Sequence, residues 1–330
     1  MIRQNNSLFL KLQYLYDKIS IHDIYERITF EFVDLPLKAY DDKHIRNVTN
    51  ELNGKFCSKN VIRFFKDCKK CMKVVYNSGE ITFYIFDKKD FMYMTKLLLL
   101  IKRAVITKQF LNINKPTNIF LILSTCKRYI SSKALIDAQH INGGFTKITN
   151  GNQISIYVTR KEECDKVMIH ELVHQCSYIH GDDFKSTHLN ALKNHFNLHP
   201  NLILIPNEAI VELWAVLIYS AFISFEYGLS HNDILNIEKQ HNYLQSLKIF
   251  EKQKDKLWYE YTNGYCYIIF KTILLQNLEK LEKNYTYNYS PDYIVSFLLN
   301  NKLQDKYNKN HDFFKTIRGD KSLRLTFLND

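Results

Sequence analysis

The sequence predicts an α+β protein: a small twisted sheet with a backing helix and one buried motif helix, followed by a mainly helical subdomain. Three observations carry this expectation. Apolar runs flank Asn77-Ser78-Gly79-Glu80 as in a hairpin, and residues 153–159 alternate apolar with polar side chains as in a half-buried strand. Residues 118–124 form the short, fully apolar run of a central strand. Beyond residue 184 apolar residues recur at helical spacing, and Gly (9) and Pro (5) are too scarce to punctuate many turns.

Each element follows in order. Leu8, Leu10, Leu12 and Leu15 predict a first helix and residues 28–33 a strand; otherwise residues 1–60 are an N-terminal segment of unclear structure. Residues 61–180 form the sheet-containing subdomain and residues 181–330 the helical one. Strands at 73–76 and 81–86 pair across the Asn/Gly turn. A helix running to Phe110, N-capped between Asp87 and Asp90, backs them, and Lys115-Pro116-Thr117 ends it. Residues 141–159 form a second hairpin around Asn150-Gly151-Asn152, at the edge of the sheet. Helices are predicted at 184–196, 209–225, 235–250, 258–281 and 293–303, with a polar, Tyr-rich loop at 284–291.

Composition narrows the function classes. The 330 residues are 46% hydrophobic and 14% aromatic, which fits a folded protein and not a disordered one. The net charge of +11 is compatible with acidic partners, nucleic acid included, but the basic residues are dispersed as on a solvated surface. Seven cysteines at irregular spacing do not make a disulfide framework, and Cys68-Lys-Lys-Cys71 lacks the second pair of a zinc ribbon. The longest apolar run, 213–225, falls short of the roughly 20 residues of a membrane span, and the N-terminus has no apolar core of a signal peptide. These features predict a soluble, intracellular protein.

The chemistry centres on Val167-Met168-Ile169-His170-Glu171-Leu172-Val173-His174, which contains H-E-x-x-H. Four residues make about one helical turn, so His170 and His174 present their imidazoles to one metal ion. Glu171 stands beside them, placed to take a proton from a metal-bound water. Zinc suits such a set when a third ligand leaves one position open. Val167, Ile169, Leu172, Val173 and Cys176 make this helix apolar on most sides, and polar groups on a buried helix need partners.

Two residues compete for the third ligand. Glu208 and Glu212 lie four apart at the start of an otherwise apolar helix. Zinc would compensate Glu208, and the N–H of a ligand imidazole would compensate Glu212. His180 stands ten residues after His170, the spacing of three-histidine sites, although Gly181 also reads as a helix stop.

Asn207-Glu-Ala-Ile-Val-Glu212 resembles the N-E-x-x-x-D/E element of thermolysin-type gluzincins, in which the first acid binds zinc and the second orients a zinc-bound histidine. The order hairpin, long helix, strands, edge hairpin, motif helix and glutamate helix is similar to the zincin catalytic core. The stretch from Asn142-Gly-Gly-Phe145 through Lys166 to His174 also resembles uncharacterised metallopeptidase-like proteins of large DNA viruses. Together these likenesses cover residues 70–225. The separation of His174 from Glu208 exceeds that of thermolysin, and His180-Gly-Asp-Asp-Phe184 is similar instead to the His-Gly-x-x-Phe of Spartan-type and WLM-type proteases.

The resemblance implies a zinc metallopeptidase acting on protein or peptide, in the cytoplasm of a host cell or in a virion. Its ligands would be His170, His174 and Glu208, with Glu171 as the base and Glu212 behind a ligand histidine. Asn142–Phe145 or Tyr157 would line the edge on which a peptide docks. Tyr227 and His231 are weighed as oxyanion donors against the plainer reading of surface positions. The alternatives are a non-catalytic zinc-binding or nucleic-acid-associated viral protein, and a Spartan/WLM-like protease acting on DNA-bound protein.

Overall fold

The computed structural model describes residues 5–35, 43–54, 56–87, 93–130, 135–149, 153–176, 184–254, 256–282, 290–301, 303 and 321–328. His180, Gly181, Asp90, the Asn150-Gly151-Asn152 turn and most of the loop at 284–291 lie outside them. Six strands, β1 (Ile28–Asp34), β2 (Lys70–Tyr76), β3 (Ile81–Phe86), β4 (Thr117–Ile122), β5 (Gly144–Thr149) and β6 (Gln153–Val158), form one mixed sheet in the order β1-β2-β3-β4-β6-β5. β1, β2 and β3 are antiparallel, β4 runs parallel to both β3 and β6, and β5 returns antiparallel to β6 as the edge strand. The expected hairpin at 77–80 is present. Asn77, Ser78 and Gly79 all have positive φ there (46°, 54° and 102°), a conformation that Asn and Gly adopt most readily.

Among the described residues five α-helices precede β4: α1 (Asn5–Lys18), α2 (Ile21–Glu26), α3 (Lys43–Leu52), α4 (Lys59–Asp67) and α5 (Met94–Phe110). The N-capping expected between Asp87 and Asp90 is not found. α5 begins at Met94 with Tyr93 as its N-cap and no side-chain cap bond, because its burial in the core fixes it without one. The short α6 (Ala138–Ile141) and then α7 (Cys164–Val173) follow.

Alternation along the strands assigns the two faces of the sheet. Ile81, Phe83, Ile119, Leu121, Ile154 and Ile156 share a core with α5 and α7. The opposite face packs on α3 and α4, and Tyr84, Phe120, Tyr157 and Phe145 stack across it with ring centroids 4.7 Å apart, the strand spacing. Phe56 adds a fifth ring 5.8 Å from Phe145, outside the edge strand.

The α-helices described after α7 are α8 (Ser186–His195), α9 (Asn207–Tyr227), α10 (His231–Gln253), α11 (Lys271–Gln276), α12 (Leu278–Glu282) and α13 (Pro291–Asn300). By length and composition α9 could cross a membrane, but 89% of its apolar window is buried inside the protein. Its Trp214, Ile218 and Phe222 share one core with Leu8, the sheet and Leu325. The expected single helix over 258–281 is corrected. Trp258 is extended and bonds its backbone to Asn197 and His199. Helix then resumes near Gly264 and passes through a π-helical turn, Cys266–Phe270, before α11.

Buried charges fix the motif helix. Arg103 of α5 pairs with Asp165 at the start of α7 and with Glu226 at the end of α9. Arg128 pairs with Glu163 and donates to the Ile141 carbonyl at 2.6 Å, while Arg160 donates to the Asn142 carbonyl at 2.7 Å. The chain entering β5 is thereby held against α7.

Candidate metal centre

Lys166, His170 and His174 follow one another at four-residue spacing on one face of α7, as do Glu208 and Glu212 on α9. The two helices pack so that the rows interlock. Glu208 meets His174 and His170, and Glu212 meets His170 and Lys166. The rows therefore run antiparallel, and each histidine has a carboxylate opposite it.

Three of these atoms converge. The Nε2 atoms of His170 and His174 are 3.1 Å apart, and Glu208 Oε2 is 3.5 Å from the first and 3.3 Å from the second. A tetrahedral zinc with bonds of about 2.0 Å has ligand–ligand edges of about 3.3 Å, so the triangle has the size of one face of that tetrahedron. Among the described residues no other set of at least three His, Cys, Asp or Glu forms such a group, so Cys68 and Cys71 do not belong to one. Glu208 Oε2 is buried yet makes no well-aligned hydrogen bond, the state expected of an oxygen that serves a cation. The donor set of two imidazoles and one carboxylate suits zinc.

The neighbours prepare these donors. His170 Nδ1 lies 2.7 Å from Glu212 Oε2, which keeps a ring proton on Nδ1 and turns Nε2 toward Glu208 and His174. Burial opposes the charge on Glu212, but Lys166, the His170 hydrogen bond and Lys271 outweigh it and hold the carboxyl well below its ordinary range. Burial likewise opposes a charged Glu208, and its two imidazole neighbours hold it low. His170 is pulled down by burial and lifted further by Glu208 and Glu212, ending at about 9 in the metal-free protein. Burial raises Glu171 above the usual carboxylate range, against the opposing pull of both histidines and of a hydrogen bond from Thr146.

Thr146 Oγ1 donates that bond to Glu171 Oε2 at 2.8 Å, joining the edge strand to the side chain next to the ligands. β5 can come this close because it enters on two glycines. A Cβ on Gly143 would lie 2.2 Å from Arg128 Nη2. A Cβ on Gly144 would lie 2.7 Å from the Tyr157 carbonyl oxygen and 2.8 Å from Val167.

His170, Glu171, His174 and Glu208 all line one cleft of about 520 Å³. Gly144, Phe145, Thr146, Ile148 and Phe56 form one part of its lining; Ile203, Ile205 and residues 259–263 form another. Several of these apolar side chains are exposed, including Ile203 (77%), Tyr261 (68%) and Ile148 (64%). None of the described lining residues is Lys or Arg.

Tyr267, which the sequence reading passed over, lines the same cleft with its ring 5.8 Å from that of His170. Burial and the nearby Glu208, Glu171 and Glu212 push its phenol well above its ordinary value, so it stays a donor. The π-helical turn carries it there, and Glu260 caps the preceding turn by accepting from the Tyr265 N–H at 2.8 Å. Tyr227 and His231 do not reach the cleft. Tyr227 is 60% exposed at the far end of α9, and His231 stacks on Phe9 beside Ser220. His180 lies outside the described residues; among the described residues Glu208 is the carboxylate that meets both imidazoles. Comparison of the chain with protein-family models, with curated proteins and with solved structures finds no match.

Proposed function

We propose that this chain is a zinc-dependent peptidase built on a zincin-like catalytic core. The observation that carries the reading is the His170–His174–Glu208 triangle opening, beside Glu171, into a cleft large enough for a peptide segment. A zinc ion held by those three atoms would supply Lewis acidity there, easing the deprotonation of a water and polarising a carbonyl.

The protein's own groups do the rest. Glu171 accepts the proton of the attacking water, and its raised affinity for protons suits it to hand that proton on to the leaving amine. Thr146 keeps the Glu171 carboxylate turned toward the cleft. Tyr267 offers an O–H to the oxygen that gains charge as the carbonyl is attacked. Glu212 holds the orientation and tautomer of His170. β5 is the edge of the sheet beside Glu171, so an extended peptide can add to it by backbone pairing while its side chains meet Ile148, Ile203 and Tyr261.

The non-catalytic alternative fits less well. Structural zinc sites are closed and rich in cysteine, whereas His174 is 26% exposed and no cysteine joins the ligands. The cleft lining, without Lys or Arg among the described residues, favours a polypeptide over a nucleic-acid backbone. A DNA-bound protein substrate would need the basic surface elsewhere on this +11 chain.

Glu171→Gln tests the reading. It is expected to retain zinc and to lose peptidase activity by at least about a hundredfold, in line with removal of a general base. A variant that keeps both zinc and full activity overturns the mechanism.

A further inference from the structure

Glu212 carries more partners than the orientation of one imidazole requires. Its Oε2 faces His170 Nδ1 at 2.7 Å. Its Oε1 is bonded to the Lys166 ammonium and lies 3.8 Å from that of Lys271. Both lysine side chains are buried, at 1% and 0% exposure. Lysine is almost never fully buried without a specific partner, and here two from different helices converge on a single carboxylate of a third.

Lys271 is itself aimed. Its Nζ is bonded to Asn242 Oδ1 of α10 and donates to the Leu325 carbonyl at 2.9 Å. Leu325 belongs to the segment 321–328, whose backbone is held by buried side chains. Glu163 Oε1 accepts from Thr326 N at 2.8 Å, and Glu238 Oε1 accepts from Phe327 N at 2.9 Å. Leu325 lines a small pocket together with His170, Glu171 and Glu212. A continuous relay of contacts thus runs from the Leu325 carbonyl through Lys271 and Glu212 to His170.

We infer that Lys166 and Lys271 are positioning residues for the metal centre, holding Oε1 of Glu212 so that Oε2 stays aimed at His170, and that the segment 321–328 sets Lys271 for this task. The inference rests on the zinc reading of the site. A carboxylate anchored through one oxygen only by solvent or by an apolar wall would rotate about its terminal bond, and His170 would lose its fixed direction. Two ammonium groups on the other oxygen remove that freedom. Support of this kind behind a metal ligand typically changes metal affinity by about 10–100-fold.

The test is the zinc dissociation constant of the full chain, measured by chelator competition, with the visible spectrum of the cobalt-substituted protein as a second readout of ligand geometry. Lys166→Met and Lys271→Met are each expected to weaken zinc binding by about tenfold or more and to alter the cobalt spectrum. In a Glu212→Ala background the same substitutions are expected to add little, because their effect passes through that carboxylate. Asn242→Ala, which leaves both lysines in place, is expected to give a smaller loss in the same direction, and it supplies the answer if a lysine variant does not fold. Unchanged zinc affinity and spectrum in the folded variants, or losses that add fully to that of Glu212→Ala, overturn the inference while leaving the zinc reading intact. A wild-type chain that binds no zinc overturns both.

Discussion

Thr146 on the edge strand donates a 2.8 Å hydrogen bond to Glu171 on the motif helix, so the strand that would pair with a peptide also holds the group that would take its attacking water's proton. Thr146→Val keeps the shape of the side chain and removes the donor. A single hydrogen bond to a charged group is worth about 1.5–3 kcal/mol, so activity is expected to fall about tenfold or more, with zinc content unchanged. The bond lowers the proton affinity of Glu171, so its loss is expected to move the acid limb of the pH–rate profile to higher pH. Thr146→Ser should restore both. A profile that stays in place would show that Thr146 does not act on Glu171.

The approach of β5 to α7 depends on the absence of side chains at its entry. A Cβ at Gly144 would meet the Tyr157 carbonyl, Val167 and, at 3.1 Å, Glu171 Oε1. Gly144→Ala is therefore expected to displace the strand, to cost about 1–3 kcal/mol in chemical denaturation, and to depress activity beyond what the loss of stability explains. Stability and activity both equal to wild type would contradict this close packing.

Metal uptake is expected to compete with a proton. In the metal-free protein His170 has its pKa raised to about 9, so at neutral pH it carries the proton that zinc must displace. Zinc affinity should rise with pH and level off above about 9, and calorimetry at pH 7.5 in buffers of different ionisation enthalpy should register proton release. The same shift has a sign for stability. Because the folded value lies above the ordinary imidazole value of 6.5, its contribution to the metal-free fold is full below about 6.5 and is lost as pH rises through about 9. Zinc binding independent of pH between 6 and 9 would contradict this.

The legible parts of the site are those with helical spacing. His170, Glu171 and His174 share one helix, and Glu208 and Glu212 open another that is otherwise apolar, so both rows are visible in one dimension. Lys166 stands four residues before His170 and belongs to the same row, a signal present in the sequence but passed over because a lone lysine ordinarily reads as surface. Thr146 could not be found this way, since its meeting with Glu171 depends on how β5 pairs with β6 and how closely the glycines let it approach α7. Tyr267 was hidden by the continuous apolar pattern over 258–281. Periodicity does not register that Trp258 pairs with residues 197–199, or that a π-helical turn follows. The strands were legible for the converse reason, since alternation and the turn at 77–79 specify them locally, and the parallel placement of β4 between β3 and β6 is the part that only the folded chain reveals.

The central claim is that one zinc ion binds to His170, His174 and Glu208. X-ray absorption at the zinc edge of the loaded protein tests it most directly. The account predicts one zinc per chain with only nitrogen and oxygen neighbours at about 2.0 Å, two of them imidazole, and loss of that signal in Glu208→Ala. Sulfur neighbours at about 2.3 Å, or an unaltered spectrum in Glu208→Ala, would contradict it.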